Sequence, residues 1–269
     1  MKVFICADME GITTTATHDE VNPSGGLYGP HAKQVTEEVL ACIEGAKKAG
    51  ATKIVVKDAH GPALNIDPAR MPSGVTLLRG KSGHPYAMAE GIDGTFDAAM
   101  FVGHHSAASR PGSPMSHTIS GSLNYIKLNG VIAGEFLIYS YACAFEGVPT
   151  VFLSGDKMLC DDYKDLHPKL VTCTVKDGIG GMSINYSPED TMKNLRELSE
   201  KALRQDLSDA LIRLPDFFEV EFCFKSHAQA QRASYYPGVA KANDSTVSFK
   251  SECYFEILRA VQWIVRSTR

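Results

Sequence analysis

The chain has 269 residues, 44% hydrophobic and 22% charged, and a formal net charge of −4 from 27 basic and 31 acidic side chains. That length suits one large α/β domain or two closely packed ones with a full core. No run of either charge makes a nucleic-acid footprint, and no stretch of about 18 apolar residues offers a membrane span.

Seven cysteines, at 6, 42, 143, 160, 173, 223 and 253, form no C-x-x-C pair. They read as reduced thiols of a cytosolic protein. The apolar run before Asp8, from Val3 to Ala7, is too short for a signal peptide. The expected compartment is the cytoplasm.

Val3 to Ala7 read as a short buried strand that ends on Asp8-Met9-Glu10-Gly11. Residues i and i+2 of an extended chain face one side, so Asp8 and Glu10 aim at a common point. Two close carboxylates repel, and a proton or a cation must relieve them. The structural alternative is a pair of solvated loop acids, with Asp8 as a cap.

Residues 31–49 follow with Val35, Val39, Leu40, Ile43 and Ala46 at helical spacing, Lys47 and Lys48 near the end, and Gly50 as the stop. Strands are expected at "TKIVVKDAHG", "GVTLLRG" and "FDAAMFVGHHS". This β-α-β order predicts a largely parallel central sheet flanked by helices. "SHTISGSLNYIKLNGVIAGE" then alternates around Asn129-Gly130, a hairpin turn signal. A helix from about Glu135 to Glu146 leads to strand "VPTVFLSGD", and 170–177 form another. Ser187-Pro188-Glu189-Asp190 opens a helix expected to run to about Asp206. "FFEVEFCFK" and "TVSFKSE" read as strands and 253–267 as a closing helix. A soft boundary near 208–215 divides a catalytic α/β domain, 1–210, from a smaller C-terminal α+β portion, 211–269.

Three strand ends carry metal-type ligands: Asp8-Met9-Glu10, Asp58-Ala59-His60 and Gly103-His104-His105. In a parallel sheet such ends share the edge where α/β proteins place their sites. Glu135, at the hairpin-to-helix junction, can return to that edge, and His117 lies a dozen residues after His105. Each signal alone has a plainer reading. A buried histidine is more often a satisfied core residue, Asp58 can merely orient His60, and Glu135 can favour a helix N-terminus. Together, carboxylates and imidazoles without thiolates suit Zn²⁺, Mn²⁺ or Fe²⁺ in a catalytic centre. Five ligands with one carboxylate shared suggest two ions, which acidify water and polarise a carbonyl.

These motifs resemble the zinc-dependent D-aminopeptidase family (DppA type) over almost the whole chain. The resemblance rests on D-M-E-G-I at 8–12, D-A-H at 58–60, the G-x-H run from 103 to 112, M-S-H at 115–117 and G-E at 134–135. It implies metal ligands Asp8, Glu10, His60, His105 and Glu135, with Asp8 bridging two Zn²⁺ per chain and Mn²⁺ or Co²⁺ as substitutes. It implies His117 as catalytic nucleophile or base. His105, not His104, falls on the ligand register; His104 either packs or supports a ligand from behind, and Asp58 fixes the His60 loop, as a support behind the ligand or as a turn residue. The implied activity is hydrolysis of short peptides with N-terminal D-residues, by a homo-oligomer, a decamer, with a central channel. Two other readings accompany it: a dinuclear hydrolase of another small amide or ester, and a non-catalytic metal- or peptide-binding protein. No phosphate-binding G-x-x-x-x-G-K-[ST] loop is present to favour phosphoryl chemistry.

Overall fold

The N-terminal apolar run becomes β1 (Lys2–Ala7), an inner strand of a seven-stranded sheet. A computed structural model describes residues 1–167 and 169–268. β1 pairs in parallel with β2 (Lys53–Asp58) on one side and β4 (Ala98–His104) on the other. β3 (Val75–Leu78) extends the sheet beyond β2. β7 (Thr150–Asp156) and β8 (Val171–Ile179) continue it in parallel beyond β4. Among the described residues of this sheet, β9 (Met182–Asn185) at the far edge alone runs antiparallel. Val3, Phe4, Ile5 and Cys6 are buried on both faces of the sheet, which is why β1 reads as continuous apolar sequence and does not alternate.

Helices α1 (Tyr28–Lys48) and α4 (Pro188–Arg204) cover one face. Val35, Val39, Ile43 and Ala46 of α1 share a core with Leu195 and Leu203 of α4 and with Val3 and Ile5 of β1. α1 starts three residues earlier than the apolar spacing suggests and takes in Gly29 and Pro30. A proline in the first turn costs no hydrogen bond, because those N–H groups have no helical partner. The other face packs against α2 (Glu135–Phe145), α6 (Tyr254–Ser267) and a second sheet.

The second sheet has five antiparallel strands. Its order runs β11 (Ala240–Lys241), β12 (Thr246–Ser251), β10 (Phe218–Phe224), β5 (Leu123–Leu128), β6 (Val131–Ile132). The β5–β6 hairpin turns at Asn129 and Gly130, with φ of +48° and +82°, as an asparagine–glycine turn of this type requires. The sheet crosses the expected 208–215 boundary: β5 pairs with β10 over residues 123–128 and 220–224. Two short helices, α3 (Lys157–Asp162) and α5 (His227–Ala233), and the edge strands β9 and β11 are additions to the elements read from sequence. No described helix is long and apolar enough to cross a membrane.

Candidate metal centre

The C-terminal ends of β1, β2 and β4 meet where α2 begins. Asp8 and Glu10 leave β1 in a buried loop that crosses the end of β4. The crossing needs Gly11: a Cβ there would lie 1.6 Å from the His104 carbonyl oxygen. Two buried charges hold this loop. The Lys176 ammonium of β8 donates to the carbonyls of Glu10 and, at 2.7 Å, Thr15. Glu38 of α1 accepts from the Thr13 N–H at 2.8 Å. Burial pushes Lys176 down to about 8 against its acidic neighbours, and pushes Glu38 up to about 7. Neither stood out in the sequence. β8 mixes Val and Cys with Thr, Lys and Asp, so Lys176 gives no local signal.

His60 sits on the loop after β2. Asp58 accepts from the Asn65 and Ile66 N–H groups at 2.6 and 2.9 Å, and the Asn65 amide also binds the His60 carbonyl at 2.8 Å. Asp58 therefore folds the loop, and His60 faces the acids of β1. Its Nδ1 lies 2.8 Å from Glu10 Oε2 and 3.3 Å from Asp8 Oδ1. His105 Nε2 lies 3.7 Å from Asp8 Oδ2 and 3.8 Å from Glu135 Oε1. His117 Nε2 lies 3.6 Å from Glu135 Oε1 and 4.0 Å from Glu10 Oε1. The His117 and His105 rings stack, with centroids 4.3 Å apart. Glu135 opens α2, where the helix N-terminus favours an acid, and its Oε1 also accepts from the Ile119 N–H at 2.6 Å.

All three rings are held alike. His60 Nε2 contacts the Val21 carbonyl, His105 Nδ1 the Ser106 carbonyl and His117 Nδ1 the Met115 carbonyl, each at 2.9 Å. A carbonyl can only accept, so that nitrogen carries the proton. In the neutral ring the other nitrogen presents a lone pair to the acids, as metal-binding imidazoles do. Lone pairs then face lone pairs. Asp8 Oδ2, Glu10 Oε2 and His105 Nε2 are buried with no hydrogen-bond partner among the described residues, a costly arrangement unless a cation fills the gap.

Three trios bring one ligand atom each within 4.8 Å of one another: Asp8, Glu10 and His60; Asp8, His105 and Glu135; Glu10, His105 and His117. Without an ion, protons take that place. Burial disfavours a charged His60 ring, but Glu10 and Asp8 outweigh it and push His60 up to about 11. His105 is likewise raised against its burial, by Glu135, Glu10 and Asp8. Burial also works against the Glu10 carboxylate, but His60, His105 and His117 hold it well below the usual range.

His104 differs. It is fully buried, its ring lies edge-on to Phe101, and its Nδ1 is 4.0 Å from Asp8 Oδ2. Burial lowers its pKa against the pull of Asp8 and Glu135. It falls in none of the three trios. Two cavities, of about 620 and 370 Å³, open on the cluster and share Glu10, His60 and His117.

A parallel sheet whose strand ends gather carboxylates and imidazoles beside a cleft defines an α/β enzyme of metallohydrolase type. The Peptidase_M55 family model, described as D-aminopeptidase, matches residues 1–263, and the chain belongs to this family. A D-aminopeptidase from Bacillus subtilis (strain 168) is 28% identical over 263 residues, covering 97% of this chain and 95% of the relative. The fold is similar to the solved structure of the Zn-dependent D-aminopeptidase DppA from Bacillus subtilis, a self-compartmentalizing protease. That match has a TM-score of 0.93 and 28% identity, and covers 100% of this chain and 98% of the other.

Proposed function

We propose that this chain is a zinc-dependent aminopeptidase that removes D-residues from the amino end of short peptides, with two ions held on a shared carboxylate. The observation that carries the reading is the set of buried carboxylate oxygens and imidazole nitrogens aimed at one another, which only a cation or added protons can reconcile. Asp8, Glu10 and His60 would hold one ion, and Asp8, His105 and Glu135 the other, with Asp8 common to both. When bound, such a pair lowers the pKa of water and polarises a carbonyl.

His117 is left for the proton work. Its Nδ1–H is committed to Met115, so Nε2 is the accepting atom, and it faces both cavities. It takes a proton from the attacking group and returns it to the leaving amine, or attacks the carbonyl carbon itself. Trapping an acyl-enzyme separates the two. His104 and Asp58 support the centre without joining it: one packs behind Asp8, the other fixes the His60 loop.

The self-compartmentalizing assembly of DppA supports a homo-oligomer here, a decamer with restricted entry, and hence small peptide substrates. The cysteines are unpaired throughout the described residues, which supports a reducing, cytoplasmic setting. The test is a panel of D- and L-aminoacyl dipeptides with zinc-loaded enzyme and with chelator. Chelator-sensitive hydrolysis of the D-series is expected. Turnover that survives metal removal, or a preference for the L-series, overturns the reading.

A further inference from the structure

The smaller cavity is charged in two ways. Asp8, Glu10 and Glu135 line it, and so do Lys81, after β3, and Arg266, near the end of α6. Both cations are exposed, although they share the cavity with buried acids. With its amide oriented so that the oxygen faces Arg266, the buried Gln262, one turn earlier on α6, accepts from Arg266 Nη2 at 3.0 Å and from Nε at 3.2 Å. A buried amide thus braces the guanidinium beside the cavity. The larger cavity carries a single ammonium or guanidinium, that of Lys225, among its lining residues.

A short peptide at neutral pH has an ammonium at one end and a carboxylate at the other. The reaction places its scissile carbonyl, next to the amino end, at the metal centre. One or two residues further along, at roughly 3.3–3.6 Å per extended residue, its carboxylate needs cations. A planar guanidinium pairs with a carboxylate through two parallel hydrogen bonds. We infer that the smaller cavity is a carboxylate-anchored subsite, in which Arg266, braced by Gln262, and Lys81 receive the free C-terminus of a di- or tripeptide. This rests on the aminopeptidase reading and adds a selection that the centre cannot make: free-acid peptides over their amides, and short peptides over long ones.

The probes are D-alanylglycine and D-alanylglycinamide, with zinc-loaded full-length enzyme. The wild type should show a KM about ten- to a hundred-fold lower for the acid, the range for hydrogen bonds to a charged group. Arg266→Gln should raise KM for the acid by that factor, with kcat and the amide kinetics unchanged. Lys81→Gln should act in the same direction and less strongly. Lys225→Gln should keep the wild-type preference. The acid-to-amide ratio is taken within one preparation, so partial misfolding of a variant does not alter it. Arg266→Gln with the wild-type ratio overturns the inference, and so does loss of the ratio in Lys225→Gln. Equal turnover of both peptides by the wild type removes the subsite but leaves the aminopeptidase reading standing. Turnover of neither removes both.

Discussion

Three buried aspartates stand at the ends of three parallel strands, and they live differently. Asp58, at the end of β2, accepts two backbone N–H groups and the Asn65 amide at 2.6 to 2.9 Å. Asp156, at the end of β7, accepts the N–H groups of Ser106 and Leu159 at 2.6 and 2.9 Å, and the Ser106 hydroxyl. Asp8 accepts its neighbour Met9 N–H at 2.9 Å through Oδ1, with His60 Nδ1 3.3 Å from the same oxygen, and among the described residues its Oδ2 has no hydrogen-bond donor. All three are at most 2% exposed. Burial of a carboxylate therefore does not mark the centre. What marks it is the direction of the lone pairs: toward N–H groups at Asp58 and Asp156, toward other lone pairs at Asp8. The first arrangement is complete as folded. The second calls for a cation.

The contrast is sharpened most by His117, the residue proposed to face the centre without holding an ion. His117→Ala should keep its zinc and melt close to the wild type, while kcat on a D-aminoacyl dipeptide falls by about 10²–10⁴. Metal analysis beside steady-state kinetics checks both halves. A near-normal kcat in a zinc-replete variant would take His117 out of the mechanism.

The next comparison splits two adjacent histidines. His105 Nε2 points between Asp8 and Glu135, whereas His104 packs on Phe101 and lies outside the ligand trios. His105→Ala should lose most of the second ion. His104→Ala should keep it, with affinity weakened by at most about 10–100-fold, as for a group that only supports a ligand. Elemental analysis of both purified variants decides, and the reverse result shifts the ligand register by one residue.

Acidity probes the same contrast. In the metal-free chain His60 is raised from 6.5 to about 11. The stability this pairing gives is full below pH 6.5 and is lost as the pH rises through about 11. Zinc binding runs the other way, because the ring must give up its proton. Zinc affinity should rise across the neutral range, by about tenfold per pH unit for each proton displaced. Titrations at pH 6, 7 and 8 would show it; a flat profile would mean that His60 is not displaced from its proton.

Asp58→Asn gives the smallest effect. It leaves the centre's charges in place but turns one N–H acceptor into a donor. Denaturant unfolding should show a loss of about 1–3 kcal/mol, with zinc retained. Loss of zinc at unchanged stability would make Asp58 a ligand and not a loop anchor.

Much of this was legible before any coordinates. The alternating strand and helix signals place Asp8, His60 and His105 after three parallel strands, and Asn129-Gly130 marks the hairpin that delivers Glu135. The motif register separates His105 from His104. Other features leave no local trace. Lys176 and Glu38 sit in ordinary strand and helix patterns, and only the tertiary fold carries them to the Asp8 loop. The second sheet joins strands some ninety residues apart, so no periodicity in either half announces it. Lys81 and Arg266 share no motif and no spacing, and only the cavity brings them together.

The central claim is that Asp8 is shared between two ions, and zinc titration of metal-free protein tests it directly. The wild type should take up two equivalents per chain. Glu10→Ala should keep about one, because Glu10 belongs to one proposed ligand set. Asp8→Ala should fall well below one, because both sets lose a member. Two full equivalents bound by Asp8→Ala would contradict the account.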